Sequence, residues 1–250
     1  MPATYPGRVA RPAHLADVQA ILFDVFGTVV DWRTTVTAEL AHFGRRVGVS
    51  ADWAAVADAW RAKYQPAMEE VRTGRRRFVV LDTLHRESLE EVLAEHGLHS
   101  ASGDDLHDLT LAWHRLDPWP DAVRGLSRLR TTFTIGTLSN GNTELLEDLA
   151  VHGGLPWDVI LGAETAGAYK PQAEVYLRAV EFLDRRPYEV MLVAAHNLDL
   201  GAARGLGLRT GFIPRVFEYG PGQQTDLRSE GDWDVVAPDI EHLADTLGCP

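Results

Sequence analysis

Asp24 stands at the end of a short apolar run, in the segment ILFDVFGTVVDW that spans residues 21–32. The run consists of strand-forming residues, and the Gly-Thr pair that follows it is typical of a tight turn. An ionised carboxylate in that place can act as a nucleophile or a base. The position two residues further on, where a second carboxylate could share acid–base chemistry, is Phe26. Asp24 is therefore a candidate for chemistry that a single carboxylate can perform.

Polar side chains also follow other apolar runs of the chain. They are Ser139 and Asn140 after FTIGTLS, Lys170 in GAYKP, and His196, Asn197 and Asp199 in AAHNLD. In an open parallel sheet, ligands bind beyond the carboxyl ends of the strands, so these side chains are expected to meet at one edge. Each of them alone also fits a turn, an N-cap or a solvated loop. Their occurrence together, in this order, favours a functional site.

Alternating strands and helices must position these residues. Six apolar runs, at 19–24, 133–139, 157–163, 190–196, 208–213 and 233–237, have the length and continuity of parallel strands covered on both faces. Helical patterns separate them, which predicts an α/β fold with a doubly wound, mostly parallel sheet.

The interval from about 34 to 117 interrupts that alternation with four helical stretches and no convincing strand. It predicts an all-helical cap subdomain inserted after the first strand. We expect a loosely held N-terminal arm at 1–18, a core formed by 19–33 and 118–250, and the cap at 34–117.

The charge balance of the chain limits the kinds of molecule that it is expected to bind. The chain has 24 Lys and Arg against 36 Asp and Glu, a net charge of -12, and such a surface repels nucleic acid and anionic membranes. Its single cysteine, Cys249, allows no intrachain disulfide and fits a reducing compartment. Neither a secretory signal nor an 18-residue apolar run is present. We therefore expect a cytoplasmic globular protein with no nucleic-acid or membrane partner.

The segments FDVFGT, LSNG, YKP and AAHNLD, in this order, resemble the four signatures of the haloacid dehalogenase superfamily. Phe26, the DW that follows it and the helical insert make the chain similar to the 2-haloacid dehalogenase branch (type II), from about residue 19 to 247. The resemblance implies a Rossmann-like core. It also implies hydrolytic dehalogenation of small 2-haloalkanoic acids to 2-hydroxy acids, through a covalent ester on Asp24. Homodimers are common in that family, and the oligomeric state of this chain stays open.

A halide leaving group explains why Asp24 needs no acid beside it. Superfamily phosphatases use a second aspartate to protonate an alkoxide, and usually Mg²⁺ to offset phosphoryl charge. A halide leaves as a stable anion, so Phe26 favours carbon–halogen cleavage over phosphoryl transfer. Ala195 stands where metal-dependent relatives usually place an aspartate. The resemblance therefore implies neither a metal nor another cofactor.

The resemblance also implies roles for residues of the core. Lys170 would keep Asp24 ionised, because an opposite charge within ~4–6 Å lowers a carboxylate pKa. Thr28 would hydrogen-bond Asp24, and Ser139 with the backbone amide of Asn140 would hold the substrate carboxylate. The full set expected to contact substrate is Thr28, Phe26, Trp60, Ser139, Asn140, Tyr176 and Asn197.

On the cap, the resemblance implies an arginine beside an aromatic residue as the halide acceptor, and Arg61 with Trp60 fits that description. Arg61 snorkelling from an amphipathic helix is the alternative. The run RTGRRR at 72–77 is the rival source of arginine. Tyr176, six residues after Lys170, is either a site tyrosine or a core residue.

The chain departs from the family pattern at Ala194, Ala195 and His196, where better-known members have Ser-Ser-Asn. The serine and asparagine that help to place the hydrolytic water are therefore absent. His196 would replace them and act with Asp199 to orient or deprotonate that water. A histidine that only bonds a carbonyl is the alternative.

The expected catalytic residues are Asp24, Lys170, Asp199, Arg61 and His196. Two other functions stay open: a superfamily phosphatase that acts on a small phosphate ester, and a non-catalytic member of the fold. The preferred halogen (fluoride included), the stereospecificity and the chain length of the substrate are not determined by the sequence.

Overall fold

The structure is a computed structural model that describes residues 11–250. The strands are β1 (Ala20–Phe23), β2 (Thr134–Thr137), β3 (Val190–Ala194), β4 (Arg209–Phe212) and β5 (Val235–Val236). The helices are α1 (Trp32–Val47), α2 (Trp53–Arg72), α3 (Leu81–Glu95), α4 (Gly103–Thr110), α5 (Ala122–Arg130), α6 (Thr143–Gly153), α7 (Ala163–Ala166), α8 (Ala173–Phe182), α9 (Asn197–Gly205) and α10 (Ile240–Thr246). Short 3-10 turns lie at Ala13–Leu15, Leu111–His114 and Pro187–Glu189.

The five strands form one parallel sheet in the order β2-β1-β3-β4-β5. Along β1, Ala20 and Leu22 join the hydrophobic cluster on one face, whereas Ile21 and Phe23 join the cluster on the other. Successive side chains of a strand point to opposite faces, so a continuous apolar run buries both. The predicted doubly wound α/β fold is confirmed.

The run at 157–163 differs from its prediction, because it forms no regular strand. It lies beside β2 and pairs with it through an isolated bridge between Gly136 and Val159. The Thr137 hydroxyl donates to the carbonyl of Leu161 and accepts from its amide. The Thr137 side chain thus accepts from the Leu161 amide, a bond that a regular strand would make to backbone.

Helices α1–α4 occupy the stretch between β1 and β2, and α2 packs against both α1 and α3. Asp52 accepts a hydrogen bond from Ala55 and caps α2. Gly97 follows the end of α3 with φ +69°, a left-handed conformation that glycine adopts without strain. We propose that this helical stretch is the cap, with 34–117 as its limits, 19–33 and 118–250 as the core, and residues before 19 as a separate segment.

The expectation of a loosely held arm is wrong for residues 11–18. Leu15 and Val18 are buried and belong to the main hydrophobic cluster, and Arg11 lies over the ring of Phe133 at 4.2 Å. The remainder of the predicted arm, 1–10, lies outside the described residues. None of the helices in the described part of the chain combines the length and the apolar character that a membrane span requires.

Candidate active site

Asp24 lies directly after β1, and its backbone amide donates to the carbonyl of Val193 on β3. Its side chain is buried. Oδ2 accepts a hydrogen bond from Thr28 Oγ1 at 2.8 Å, and that hydroxyl accepts from the amide of Ala195 at 2.9 Å. Thr28 thus orients the carboxylate from a fixed position, because its oxygen is held by the backbone that follows β3.

Lys170 places its ammonium between two carboxylates. Nζ lies 2.8 Å from Asp24 Oδ1 and 2.5 Å from Asp199 Oδ2. Burial opposes the charge of Lys170, yet Asp199 and Asp24 outweigh that effect and raise its pKa. For Asp24, burial acts to raise the pKa, but Lys170 and then His196 lower it well below the usual range. Asp24 is therefore ionised at neutral pH, as a nucleophile must be.

Asp199 lies in the first turn of α9 and accepts from Tyr176 as well as from Lys170. The Tyr176 hydroxyl, on α8, donates to Asp199 Oδ1 at 2.6 Å. Burial, followed by the charge of Asp199, raises the pKa of Tyr176, so its hydroxyl keeps the proton it donates. Tyr176 is both a fully buried residue and a wall residue of the site cavity, so the two interpretations of its role are compatible.

His196 lies between two acids, Asp24 and Glu218, and its ring nitrogens pair with these and not with Asp199. Its Nδ1 lies 3.0 Å from Asp24 Oδ2, and its Nε2 lies 2.9 Å from Oε2 of Glu218. Burial disfavours the imidazolium, but Glu218 and Asp24 raise the pKa of His196 well above its ordinary value. Both His196 and Asp199 line the same cavity, so their joint action on the water stays a prediction.

Glu218 was not anticipated from the sequence. It lies on the long connection from β4 to β5, is 1% exposed, and accepts from Trp32 Nε1 at 3.2 Å through Oε1. A Cβ atom on Gly27 would lie 2.1 Å from Oε1, so the close approach of Glu218 requires glycine there. Gly27 also has φ +82°, a conformation that other residues rarely adopt.

Arg61, on α2, provides the cation on the cap side. Its guanidinium lies 4.0 Å above the ring of Tyr64 and 5.5 Å from that of Trp32. Nε and Nη1 are buried and have no hydrogen-bond partner among the described residues. A buried donor that lacks an acceptor is costly, so this cation is suited to bind an anion.

A cavity of about 290 Å³ joins these groups. The core contributes Asp24, Phe26, Asn140, Lys170, Tyr176, His196 and Asp199, and the cap contributes Arg61, Tyr64 and Gln65. Tyr219 and Asp226, on the connection from β4 to β5, also line the cavity. Leu198 lines it as well and is 89% exposed. The volume suits a small organic acid.

Four of the seven residues expected to contact substrate lie off the cavity wall: Thr28, Trp60, Ser139 and Asn197. Trp60 is buried within the cap, where Nε1 donates to the carbonyl of His85 and the ring packs edge-on against Trp113. Adjacent residues on a helix point about 100° apart, so Trp60 turns away from the cavity that Arg61 faces. Asn197 also lies off the cavity wall, because its side chain bonds Asp226, Arg228, Glu230 and Trp233.

Ser139 and Asn140 occupy different positions relative to the cavity. Ser139 is fully buried behind the wall, and its hydroxyl accepts from the amide of Gly141. Asn140 lines the cavity, and its Oδ1 accepts from the Lys170 amide at 2.8 Å. Its own backbone N–H has no acceptor within residues 11–250, so it is available to a substrate carboxylate.

Three of the four rival arginines of the 72–77 run bond to residues outside the cavity wall or to backbone. Arg72 donates to the carbonyl of Lys170, while Arg75 and Arg76 pair with Glu70 and Glu87. The cavity wall includes none of them.

The site does not fit a divalent cation of the kind that phosphatases use. The Lys170 ammonium already stands between Asp24 and Asp199. Within residues 11–250, no group of three or more His, Cys, Asp or Glu side chains is arranged to hold a metal ion.

Comparisons with known proteins identify relatives of this chain. A family model described as haloacid dehalogenase-like hydrolase matches residues 18–207. The chain is 32% identical over 203 residues to (S)-2-haloacid dehalogenase 1 of Pseudomonas sp. (strain CBS-3), covering 80% of this chain and 86% of that protein. Its structure is similar to that of the defluorinating L-2-haloacid dehalogenase Rha0230, with a TM-score of 0.92, 48% identity and coverage of 95% and 98%. The L-2-haloacid dehalogenase PA0810 is similar too, with a TM-score of 0.90, 49% identity and coverage of 92% and 98%.

Proposed function

The chain belongs to the haloacid dehalogenase-like hydrolases, and we propose that it replaces the halogen of small (S)-2-haloalkanoic acids by hydroxyl, through an ester on Asp24. The observation that carries this proposal is a carboxylate kept ionised by Lys170, with Phe26 in place of an acid, in a cavity that also presents Arg61. Such a site suits a substrate whose leaving group needs no proton.

In the first step, an Asp24 oxygen attacks the α-carbon of the substrate from the side opposite the halogen. A carbon–oxygen bond forms, the carbon–halogen bond breaks, and its electron pair leaves with the halide. The cationic donors of Arg61 are suited to receive that anion, since two of them have no partner among the described residues. The Asn140 amide is suited to hold the substrate carboxylate during the attack.

In the second step, water attacks the ester carbonyl carbon of Asp24. We assign the first proton of the water to Asp199, a carboxylate on the cavity wall. The bond from the carbonyl carbon to the substrate oxygen then breaks, and the departing alkoxide takes up that proton to become the 2-hydroxy acid. The second proton is released when the Asp24 carboxylate reforms.

The direct test is halide release, measured by ion chromatography from both enantiomers of 2-chloropropionate and from chloroacetate, with EDTA present. Wild type is expected to release halide, with preference for the (S) enantiomer, whereas Asp24→Asn is expected to release none. Asp104→Asn, an exposed carboxylate of α4, is the matched control. A folded wild type that releases no halide but hydrolyses phosphate esters with Mg²⁺ would show that the phosphatase alternative is correct.

A single turnover in ¹⁸O-labelled water tests the ester separately. With enzyme in excess over substrate, the label is expected in Asp24 and not in the product, because water attacks the carbonyl carbon of the side chain. Label in the product after one turnover would mean that water attacks the substrate carbon directly.

Fluoride release is a further part of the proposal, supported by the 48% identity to a dehalogenase described as defluorinating. Carbon–fluorine cleavage needs strong hydrogen bonding to the departing ion, and Arg61 stands in the cavity for that role. A fluoride-selective electrode with fluoroacetate as substrate measures it directly.

We also propose that the enzyme works in the cytoplasm, which its single cysteine and its composition support. The family resemblance favours a homodimer, and light scattering during size-exclusion chromatography determines the mass in solution.

A further inference from the structure

We infer that Glu218 is a positioning residue for ester hydrolysis: it holds His196 as a double donor, so that His196 and Thr28 together stabilise negative charge on Asp24 Oδ2. This inference rests on the proposed function, because it concerns the breakdown of the Asp24 ester.

The protonation of His196 follows from its two partners. Carboxylates accept hydrogen bonds and do not donate them when ionised, and a neutral imidazole has only one N–H. Nδ1 and Nε2 each lie within 3.0 Å of a carboxylate oxygen, so both nitrogens must carry a proton. The ionisable groups that face the ring are Asp24, Glu218 and Tyr219.

The two oxygens of Asp24 have different surroundings. Among the described residues, Oδ2 accepts from both Thr28 and His196, whereas Oδ1 accepts from Lys170. The oxygen with fewer donors is the better nucleophile, so Oδ1 attacks the substrate and becomes the ester oxygen. Oδ2 then becomes the carbonyl oxygen and already has two donors beside it.

Charge develops on that oxygen in the second step. When water adds to the carbonyl carbon, the π electron pair moves onto Oδ2, and it returns when the alkoxide leaves. Donors fixed beforehand at such an oxygen stabilise the transition state without rearrangement. An imidazolium that donates to Oδ2 is suited to this role and is unsuited to act as the base, which agrees with the separate position of Asp199.

Ester formation makes Glu218 necessary. In the free enzyme, Asp24 and Glu218 both favour the charged form of His196. Once Asp24 is esterified it carries no charge, and within residues 11–250 Glu218 is then the acid that still bonds the ring. It is held in place by Trp32 and by the glycine at position 27. Glu218 therefore acts in the second step, at the point where the first acid has lost its charge.

The test is Glu218→Gln, which keeps the shape of the side chain and removes its charge, with Glu230→Gln on the same connection as the matched control. At pH 8 the variant is expected to release one equivalent of halide quickly and then to turn over about 10²-fold more slowly than wild type. Intact-mass spectrometry is expected to detect the accumulated ester. Lowering the pH should restore ester breakdown, because it protonates His196 again.

Equal slowing of halide release and ester breakdown, with no accumulated ester and no rescue at low pH, would overturn the inference and leave Glu218 a structural residue. If the variant does not fold, ¹⁵N NMR of His196 in the free wild-type enzyme replaces it. A ring that is neutral at pH 7 would equally overturn the inference. Absence of halide from wild type would instead contradict the proposed function itself.

Discussion

The ammonium of Lys170 lies 2.8 Å from Asp24 Oδ1, with both side chains buried. Replacement of Lys170 by Met removes this charge and leaves, among the described residues, the His196 charge and the Thr28 hydroxyl to offset the burial of Asp24. We expect the pKa of Asp24 to rise and halide release at pH 7 to fall at least about 10²-fold. Lys63→Met, which removes an exposed ion pair of the cap, should leave the rate unchanged and is the control for a general effect of charge.

The lowered pKa of Asp24 predicts how stability depends on pH. A carboxylate whose folded-state pKa lies below its unfolded value of about 3.9 contributes stability above that pH, and the contribution is lost as the pH falls further. Urea unfolding at several pH values from 2 to 7 should therefore show a steeper acid loss for wild type than for Asp24→Asn, chiefly below about pH 4. Because Asp24 stays ionised above about pH 4, protonation of Asp24 should not lower the rate of halide release in that range. An inflection near pH 5 that Asp24→Asn abolishes would contradict this assignment.

Arg61 is expected to act mainly in the halide-releasing step. Arg61→Lys keeps the charge but loses the planar guanidinium that lies over Tyr64, and the two cations are not equivalent in such a stacked site. We expect kcat for halide release to fall by about 10²-fold, while an ester once formed hydrolyses at a normal rate. Arg86→Lys, an exposed arginine on α3 paired with Glu90, is the matched control. A change in KM alone would assign Arg61 to substrate binding.

The core side of the site could largely be predicted, because its residues follow apolar runs that behave as strands. Asp24, Lys170 and Asp199 are within hydrogen-bond distance because parallel strands end at one edge of the sheet. Trp60 was misplaced since neighbouring positions on α2 face different directions, and a sequence does not show which one faces the core. Glu218 was missed because it lies on a long connection without periodicity, where tertiary contacts decide its position.

Asn197 shows how a residue of a motif can serve structure instead of chemistry. Its side chain ties the segment 226–233 to the start of α9 through four hydrogen bonds. Asn197→Ala is expected to lower the free energy of unfolding by about 2–3 kcal/mol, because it leaves buried donors and acceptors without partners. Thermal or urea unfolding measures this loss. Gln224→Ala, an exposed residue of the same connection, should have little effect.

His114 links the cap to the core in a way that depends on pH. Its Nδ1 lies 2.8 Å from Asp148 on α6, and Nε2 lies 3.2 Å from Asp82 on α3. Burial opposes the charge of His114, yet these two acids raise its pKa. The resulting stabilisation is complete below the unfolded-state pKa of about 6.5 and is lost as the pH rises through the raised folded-state value.

We therefore expect His114→Gln to destabilise the protein more at pH 6 than at pH 9, as measured by urea unfolding at both values. His99→Gln, an exposed histidine between α3 and α4, supplies the comparison. Equal destabilisation at the two pH values would mean that His114 stabilises the protein by packing and not by charge.

The groups around Asp24 come from distant parts of the chain. Lys170 and His196 follow it by 146 and 172 residues, and Glu218 is 186 residues from Trp32. Contacts of such long sequence separation carry the loop-closure entropy of the intervening chain and form slowly. During synthesis, β1 cannot acquire its second neighbour in the sheet before β3 has left the ribosome. Asp24 is thus among the first residues made, yet a nascent chain that stops short of residue 196 lacks a partner of Asp24, and one that stops short of residue 218 lacks the acid that bonds His196.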